Sequence, residues 1–239
     1  MPRRSSRPVS EKVTLTEAGT ASVDKALSLL FLFTRERPEL SLGELAEETG
    51  IYKSGILRHL ASLEAARLVE KQKSGGYKLG AGVAVLNAAF QAGNDLESLV
   101  MPVLRELVET TRESAAFHVR QGDQRLCLFR VDSKQLLRDH TRAGDLLPLD
   151  RGAGGRMLTA FAGARGKVYE RARKEKVLAM QGEEMPELAG ISSPVFDERG
   201  ELAGAITLTM ASHRFKESDV PVVKAAARKL TGLLGGRFD

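Results

Sequence analysis

Cys127 is the only cysteine in a chain of 239 residues that has no tryptophan and an aromatic content of 5%. A lone cysteine excludes an intrachain disulfide and any zinc site built on a cysteine cluster, and it suits a reducing compartment. Its neighbours Leu126, Leu128 and Phe129 mark a buried thiol rather than a nucleophile. The histidines His59, His118, His140 and His213 are too scattered for metal-ligand spacing, so no metal is expected. No apolar run approaches the length that crosses a bilayer, and the N-terminus lacks the apolar region of a secretory signal. A soluble, cytoplasmic protein with no membrane partner is expected. Catalytic signatures are missing too. The stretch GAGGRM at 152–157 has neither phosphate-loop nor dinucleotide-loop spacing. Ser192 and Ser193 lack a nucleophile elbow, and no Ser-His-Asp order stands out. Neither an enzyme nor a cofactor is expected.

What is present is a modest positive excess: 36 Lys and Arg against 31 Asp and Glu give a formal net charge of +5. That balance fits a nucleic-acid partner without requiring one. The apolar fraction of 42% supports a packed core, and the length leaves room for two domains.

The most informative stretch is 41–79, SLGELAEETGIYKSGILRHLASLEAARLVEKQKSGGYKL. Ser41 and Glu44 have capping-box spacing, and Leu42, Leu45, Ala46 and Thr49 share one helical face. Gly50 is placed to end that helix in the left-handed conformation, with Ile51 behind it. A second helix is predicted from Lys53, with Ile56, Leu57, Leu60 and Leu63 as its buried stripe. Its opposite face carries Ser54, Arg58 and Ser62 at i, i+4 and i+8, with Gly55 and His59 beside them and Ala61 and Ala65 at the border. A small, polar, cationic face of this kind fits the DNA major groove, where Arg pairs with a guanine edge. Tyr52, Lys53, Ser54, Gly55, Arg58, His59 and Ser62 are therefore the candidate groove contacts. Leu68–Lys73 and Tyr77–Leu79 read as a hairpin turned at Ser74-Gly75-Gly76, with Lys71, Lys73 and Lys78 as candidate phosphate contacts. The plainer alternative is a helical hairpin with a solvated charged face.

Four segments follow from composition and periodicity. Residues 1–20 read as a disordered basic tail in which Arg3, Arg4 and Arg7 could touch a minor groove. Residues 21–81 form a winged helix-turn-helix whose first helix, at 22–34, is apolar on most of its circumference and so is buried or shared with another chain. After it, Arg35–Leu40 is expected to be a loop. Residues 82–95 are a linker helix with Val83, Leu86, Asn87 and Phe90 on one side, which packs within the subunit or dimerises. Residues 96–239 alternate helices with hairpin strands, the pattern of an α+β domain on a mostly antiparallel sheet. Strands are predicted at AAFHVRQ, QRLCLFRV, Arg138–Arg142, ISSPVF and GAITLTM. Helices are predicted from Leu96 with Pro102 near the start, at Gly152–Phe161, at Arg165–Val177 and at Glu217–Leu234.

Taken in order, SVDKAL, SLGELAEETGIYKSGILRHLASLEAARLV and GGYKLG resemble the DNA-binding half of the IclR family of bacterial transcriptional regulators. LPLDRGAGGRMLTAF at 147–161 and ISSPVFDERGELAGAITLTM at 191–210 resemble that family's effector-binding half. The resemblance implies a winged helix-turn-helix, a linker helix and a GAF-like ligand-binding domain. It also implies a homodimer or homotetramer on a palindromic double-stranded DNA operator, acting as repressor or activator, with a small organic or aromatic acid as effector. On this implication the ligand meets the backbone at Gly152, Ala153 and Gly154 and hydroxyls of Thr207 and Thr209, with Ser192 nearby. The residues agree in part: a glycine-rich helix start offers free N–H groups to a carboxylate. Thr207 and Thr209 alternate with Ile206 and Leu208, so they share a strand face, although paired threonines are also ordinary sheet surface. Gly190 stands where such relatives carry a ligand-contacting cysteine, and Met180 or Gln181 where they carry an acid. Arg130, Arg138, His140 and Arg142 either line the pocket and select an anion, or form a solvated strand surface. The alternatives are a DNA-binding repressor that senses no small molecule and, behind it, an enzyme that uses the C-terminal domain.

Overall fold

The computed structural model describes residues 19–92, 96–183 and 185–238, and the chain divides between Asn94 and Asp95 into two units. The expected basic tail with Arg3, Arg4 and Arg7, and the last residues of the expected linker helix, lie outside the described residues. Among the described residues no helix is long and apolar enough to cross a membrane.

The first unit comprises α1 (Ala21–Leu30), β1 (Glu39–Leu40), α2 (Leu42–Thr49), α3 (Lys53–Ala65), β2 (Val69–Lys71), β3 (Tyr77–Leu79) and α4 (Gly82–Ala92). Ser41 begins α2 with a complete capping box. Its hydroxyl accepts from the Glu44 N–H at 3.2 Å, and the Glu44 carboxylate accepts from the Ser41 N–H at 2.8 Å. Those bonds, the backbone one first, hold the Glu44 carboxyl below its ordinary range. Gly50 closes α2 at φ 68°, where its N–H donates to the Ala46 carbonyl. The chain then turns directly into α3, whose Ile56, Leu60 and Leu63 meet Leu29, Leu40, Leu45, Val69 and Tyr77 in one core.

Two local expectations are corrected. Leu57 is not in the buried stripe but 45% exposed, because it is turned about 100° around α3 from Ile56. The segment before Ser41 is not all loop: Glu39 and Leu40 pair with Lys78 and Tyr77, giving the sheet order β1-β3-β2. The β2–β3 turn is tightened by the Gln72 N–H donating to the Gly76 carbonyl at 2.8 Å. Behind β3, the Arg67 carbonyl accepts from the Gly82 N–H at 2.8 Å, and side chains at Gly80 or Gly82 would collide with that carbonyl. Helix α1 buries Leu29 but leaves Val23, Leu27 and the capping residue Phe31 exposed, and α4 leaves Val85, Leu86 and Phe90 exposed.

The second unit comprises α5 (Leu96–Thr111), β4 (Ser114–Gln121), β5 (Gln124–Val131), β6 (Leu146–Pro148), α6 (Gly152–Phe161), α7 (Lys167–Glu175), β7 (Leu178–Gln181), β8 (Leu188–Phe196), β9 (Leu202–Ala211) and α8 (Asp219–Leu233). Its strands form an antiparallel sheet in the order β6-β5-β4-β9-β8-β7. Alternation on β9 sorts the two faces. Ile206, Leu208 and Met210 join Val100, Leu104 and Leu107 of α5 and Val223, Ala227 and Leu230 of α8. Ala205, on the other face, joins Met157, Leu158 and Ala160 of α6 and Ala172 of α7. This is the expected α+β architecture.

Pro102 lies inside α5 rather than near its start. Residues Arg138–Arg142 form no strand, and the strand that follows β5 is β6. The reason is electrostatic. The Arg130 side chain is 4% exposed and pairs with both Asp132, at 2.8 Å, and Asp139, tying the loop back on itself. Strand β7 was not anticipated; Leu178↔Ser192 and Ala179↔Ile191 seat it on β8.

Replacing Ser41 by Ala removes one half of the capping box and is expected to cost about 0.5–2 kcal/mol of stability of the first unit, read by denaturant unfolding. An unchanged midpoint would show that α2 does not depend on its cap.

Candidate functional site

Helix α3 exposes Tyr52, Lys53, Ser54, Arg58 and Ser62, and Tyr52 is 88% exposed. The face is open because α3 spends its apolar residues on the opposite side. Gly55 sits at its edge, half-buried, where a side chain would press on Ile51 at 3.2 Å. His59 also lies half-buried at the edge. Burial first, then the charges of Arg58 and Lys25, keep its imidazole below the ordinary range. Among the described residues no carboxylate pairs with Lys53, Arg58 or Lys73, so their charge is directed outward. The other lysines of the β2–β3 hairpin are partly engaged: Lys78 lies 3.7 Å from Glu70, and Lys71 lies over the Tyr77 ring at 5.9 Å. The arrangement is a cationic helix face with a basic hairpin following it, a geometry that meets a groove and its flanking phosphates.

The second candidate site lies where α6 begins against the sheet. Arg151 precedes α6 and supplies no side-chain cap, and Gly152 opens it at φ 71°. Gly152, Ala153, Gly154 and Gly155 are all buried. Thr207 lies beneath them on β9, and its Oγ1 is 3.0 Å from Ser192 Oγ, which in turn donates to the Ile206 carbonyl. Thr209 is half-buried on the same face, and Gly190 opposite it leaves room for Ala153, whose Cβ is 3.5 Å from where a Gly190 side chain would begin. The structure thus brings Gly152, Ala153, Gly154, Ser192, Thr207 and Thr209 together. It does not bring Arg130 and His140 there as free ligands. Arg130 is committed to Asp132 and Asp139, and His140 is exposed on the loop. Arg138 and Arg142 are likewise exposed, and Arg138 lies 3.7 Å from Asp132.

Two residues of this site were not anticipated, His118 on β4 and Arg125 on β5. A side chain on Gly154 would begin 2.8 Å from Thr207 Oγ1, 3.0 Å from Arg125 Nη1 and 3.6 Å from His118 Nδ1, so all three converge on one backbone position. His118 and Arg125 are each 4% exposed. Neither imidazole nitrogen has a hydrogen-bond partner among the described residues. Burial first, and then the charges of Arg125 and Arg130, hold His118 well below its ordinary range, so it is neutral near pH 7. Cys127, two residues from Arg125 and paired with His118, is pushed up to about 12, chiefly by burial, and is an inert thiol. Among the described residues no cluster of three His, Cys, Asp or Glu could hold a metal ion.

Comparison with known proteins matches residues 22–73 to the IclR helix-turn-helix domain. Residues 89–167 and 167–232 match the C-terminal domain of bacterial IclR transcriptional regulators. The HTH-type transcriptional regulator KipR of Bacillus subtilis is 24% identical over 244 residues, covering 90% of this chain and 97% of KipR. A candidate IclR transcriptional regulator from Silicibacter sp. TM1040 superposes with a TM-score of 0.80 at 24% identity, covering 90% of this chain and 97% of that one. An IclR homologue from Microbacterium hydrocarbonoxydans, crystallised with 4-hydroxybenzoate, has a TM-score of 0.76 at 17% identity over 90% of this chain and 99% of its own.

The neutral His118 has a consequence for stability. The unfolded chain takes up a proton near pH 6.5, whereas the folded one does not until lower pH. The stability present above about pH 6.5 is therefore lost as pH falls, with a slope approaching 1.4 kcal/mol per pH unit, in order of magnitude. His118→Gln is expected to flatten that acid limb, measured by denaturant unfolding between about pH 7 and pH 5. An unaltered limb would mean that His118 is protonated in the fold.

Proposed function

This chain belongs to the IclR family of bacterial transcriptional regulators, and from that premise we propose that it binds a palindromic operator as a dimer or dimer of dimers and answers to a small organic acid. The observation that carries the DNA reading is the outward charge of α3, where Arg58 stands between Ser54 and Ser62 with no described carboxylate to neutralise it. In this reading Tyr52, Lys53, Ser54, Arg58, His59 and Ser62 face the groove, Gly55 lets α3 approach its own turn, and Lys71, Lys73 and Lys78 hold phosphates.

A second copy of the chain is the natural cover for the exposed apolar residues of the first unit. Val23 and Leu27 on α1 and Phe31 at its C-terminal cap follow at i, i+4 and i+8, while Val85, Leu86 and Phe90 stand out from α4, which buries none of its described residues. Leaving such surface in water is costly, and a two-fold partner would also align two copies of α3 with two half-sites. The acid would sit at Gly152–Gly154 with Thr207 and Thr209. The N–H groups of the α6 first turn support a carboxylate there, and the Microbacterium relative's complex with 4-hydroxybenzoate supports an organic acid as the class of effector. No catalytic role is assigned to the second unit, and the protein acts in the cytoplasm. One observation favours the alternative of a repressor without effector: Ser192 and Thr207 already satisfy each other, and α6 lies close on the sheet.

Three measurements test this reading. Arg58→Ala is expected to weaken operator binding by about 1–3 kcal/mol and to relax preference at one base position in a binding selection. Lys73→Ala is expected to weaken all DNA sequences alike and to lower the slope of log K against log salt by about 0.9. An intact base preference in the first case would place another side of α3 in the groove. Replacing Phe31 and Phe90 together by Glu is expected to shift the protein to monomer in sedimentation. If the double variant sediments as the parent does, the subunits associate elsewhere.

A further inference from the structure

Building on the DNA-binding reading above, we propose that Glu39 is a positioning residue for the phosphate contact: its side chain straps the β2–β3 turn and so fixes where Lys73 meets the DNA backbone. Glu39 lies opposite Lys78 of β3, which lies opposite Glu70 of β2, so the three side chains stand in a row on one face of the small sheet. Lys78 turns to Glu70, at 3.7 Å, and Glu39 reaches past it to the turn. There its carboxylate accepts from the Ser74 hydroxyl, and that hydroxyl accepts from the Gly76 N–H at 3.4 Å. The Glu39 side chain also lies against Gly76: a side chain at position 76 would begin 2.9 Å from Glu39 Cγ and 3.1 Å from its carboxyl carbon. Among the described residues Glu39 pairs with no lysine or arginine.

A carboxylate without a cation, on a hairpin that meets a polyanion, works against binding by its charge. Anchorage offsets that cost. Strands β2 and β3 have three residues each, and a two-stranded ribbon of that length is marginal without further support. Glu39 supplies it from a fixed base. The next residue, Leu40, is fully buried in the core of the first unit, and Ser41 after it caps α2. The charge-assisted bond from Ser74 to Glu39 therefore ties the tip of the hairpin to the start of the helix-turn-helix. Lys73 is the chain neighbour of Ser74 and pairs with no described carboxylate. Its ammonium takes its place relative to α3 from that tie, and Gly76 keeps the seat of the strap open.

The test is the affinity of the full chain for a mixed-sequence duplex DNA over a range of salt, because a phosphate contact carries no sequence information. Charge and positioning predict opposite signs. By charge alone, removing a carboxylate strengthens DNA binding. With Glu39 as the strap, Glu39→Ala is expected to weaken binding by roughly threefold at low salt and to reduce the slope of log K against log salt by about 0.9, as Lys73→Ala does. In the Lys73→Ala background, Glu39→Ala should cost nothing further. Glu39→Gln, which keeps an acceptor for Ser74, should restore most of the loss. Gly76→Ala should reproduce it, since the new methyl displaces the Glu39 side chain at a position whose φ is not left-handed. Binding by Glu39→Ala equal to or tighter than the parent's overturns the inference and leaves the DNA reading standing. So does a loss undiminished when residue 73 is already alanine, or a Glu39→Gln variant as weak as Glu39→Ala. Where Glu39→Ala does not fold, Gly76→Ala decides, and parent-like affinity and salt slope in it overturn the strap. A parent protein that does not bind the duplex even at low salt overturns both readings.

Discussion

The second unit depends on how closely a helix backbone can approach a sheet. Gly154 and Gly155 have no room for side chains: one would strike Thr207 and Arg125, the other the Leu149 and Pro148 carbonyls. Gly190 across the sheet removes the next obstacle. Because these positions are bare, α6 lies flat enough to bury Met157, Leu158 and Ala160 on the sheet face that carries Ala205, and α7 and Leu178 complete that layer. Larger residues would lift the helix and open the layer beneath it, at the cost of both burial and close packing. The same approach sets the backbone of Gly154 beside Thr207, Arg125 and His118.

The first unit solves a related problem with different parts. A capping box starts α2 and a left-handed glycine stops it, so the direction in which α3 leaves is set before any tertiary contact forms. Three apolar residues, Ile56, Leu60 and Leu63, then anchor α3 to the core and leave its other face to Ser54, Arg58 and Ser62. The glycines after β3 close the unit against the Arg67 carbonyl and lead into α4. What the core leaves uncovered is as informative as what it buries. Val23 and Leu27 of α1 and Val85, Leu86 and Phe90 of α4 stay exposed, apolar surface that the core of the first unit does not cover.

Much of this architecture could be read from residues alone, because local rules and global packing agree there. Ser41, Glu44 and Gly50 act through their immediate neighbours, and the alternation of Ile206, Thr207, Leu208 and Thr209 assigns both faces of β9. Elsewhere tertiary forces decide. Leu57 is apolar and sits beside the stripe, yet helical phase turns it outward. The run Arg138–Arg142 alternates like a strand, but the ion pairs of Arg130 with Asp132 and Asp139 fold that segment into a loop. His118 and Arg125 escaped notice for a different reason. Residues Ser114–His118 are buried on both faces and a register shift falls between Phe117 and His118, so the period of two that would reveal a pocket-facing side chain is lost. Only the convergence at Gly154 shows that the two residues belong together.

The measurement that bears most directly on this account is fluorescence anisotropy of DNA upstream of the protein's own gene, titrated with the full chain in the presence and absence of small carboxylic acids, against an unrelated DNA of equal length. The account predicts binding at modest salt that the unrelated DNA does not compete away, with an affinity altered by one of the acids. Binding that the unrelated DNA competes away equally well, or no binding at all, would contradict it at its foundation.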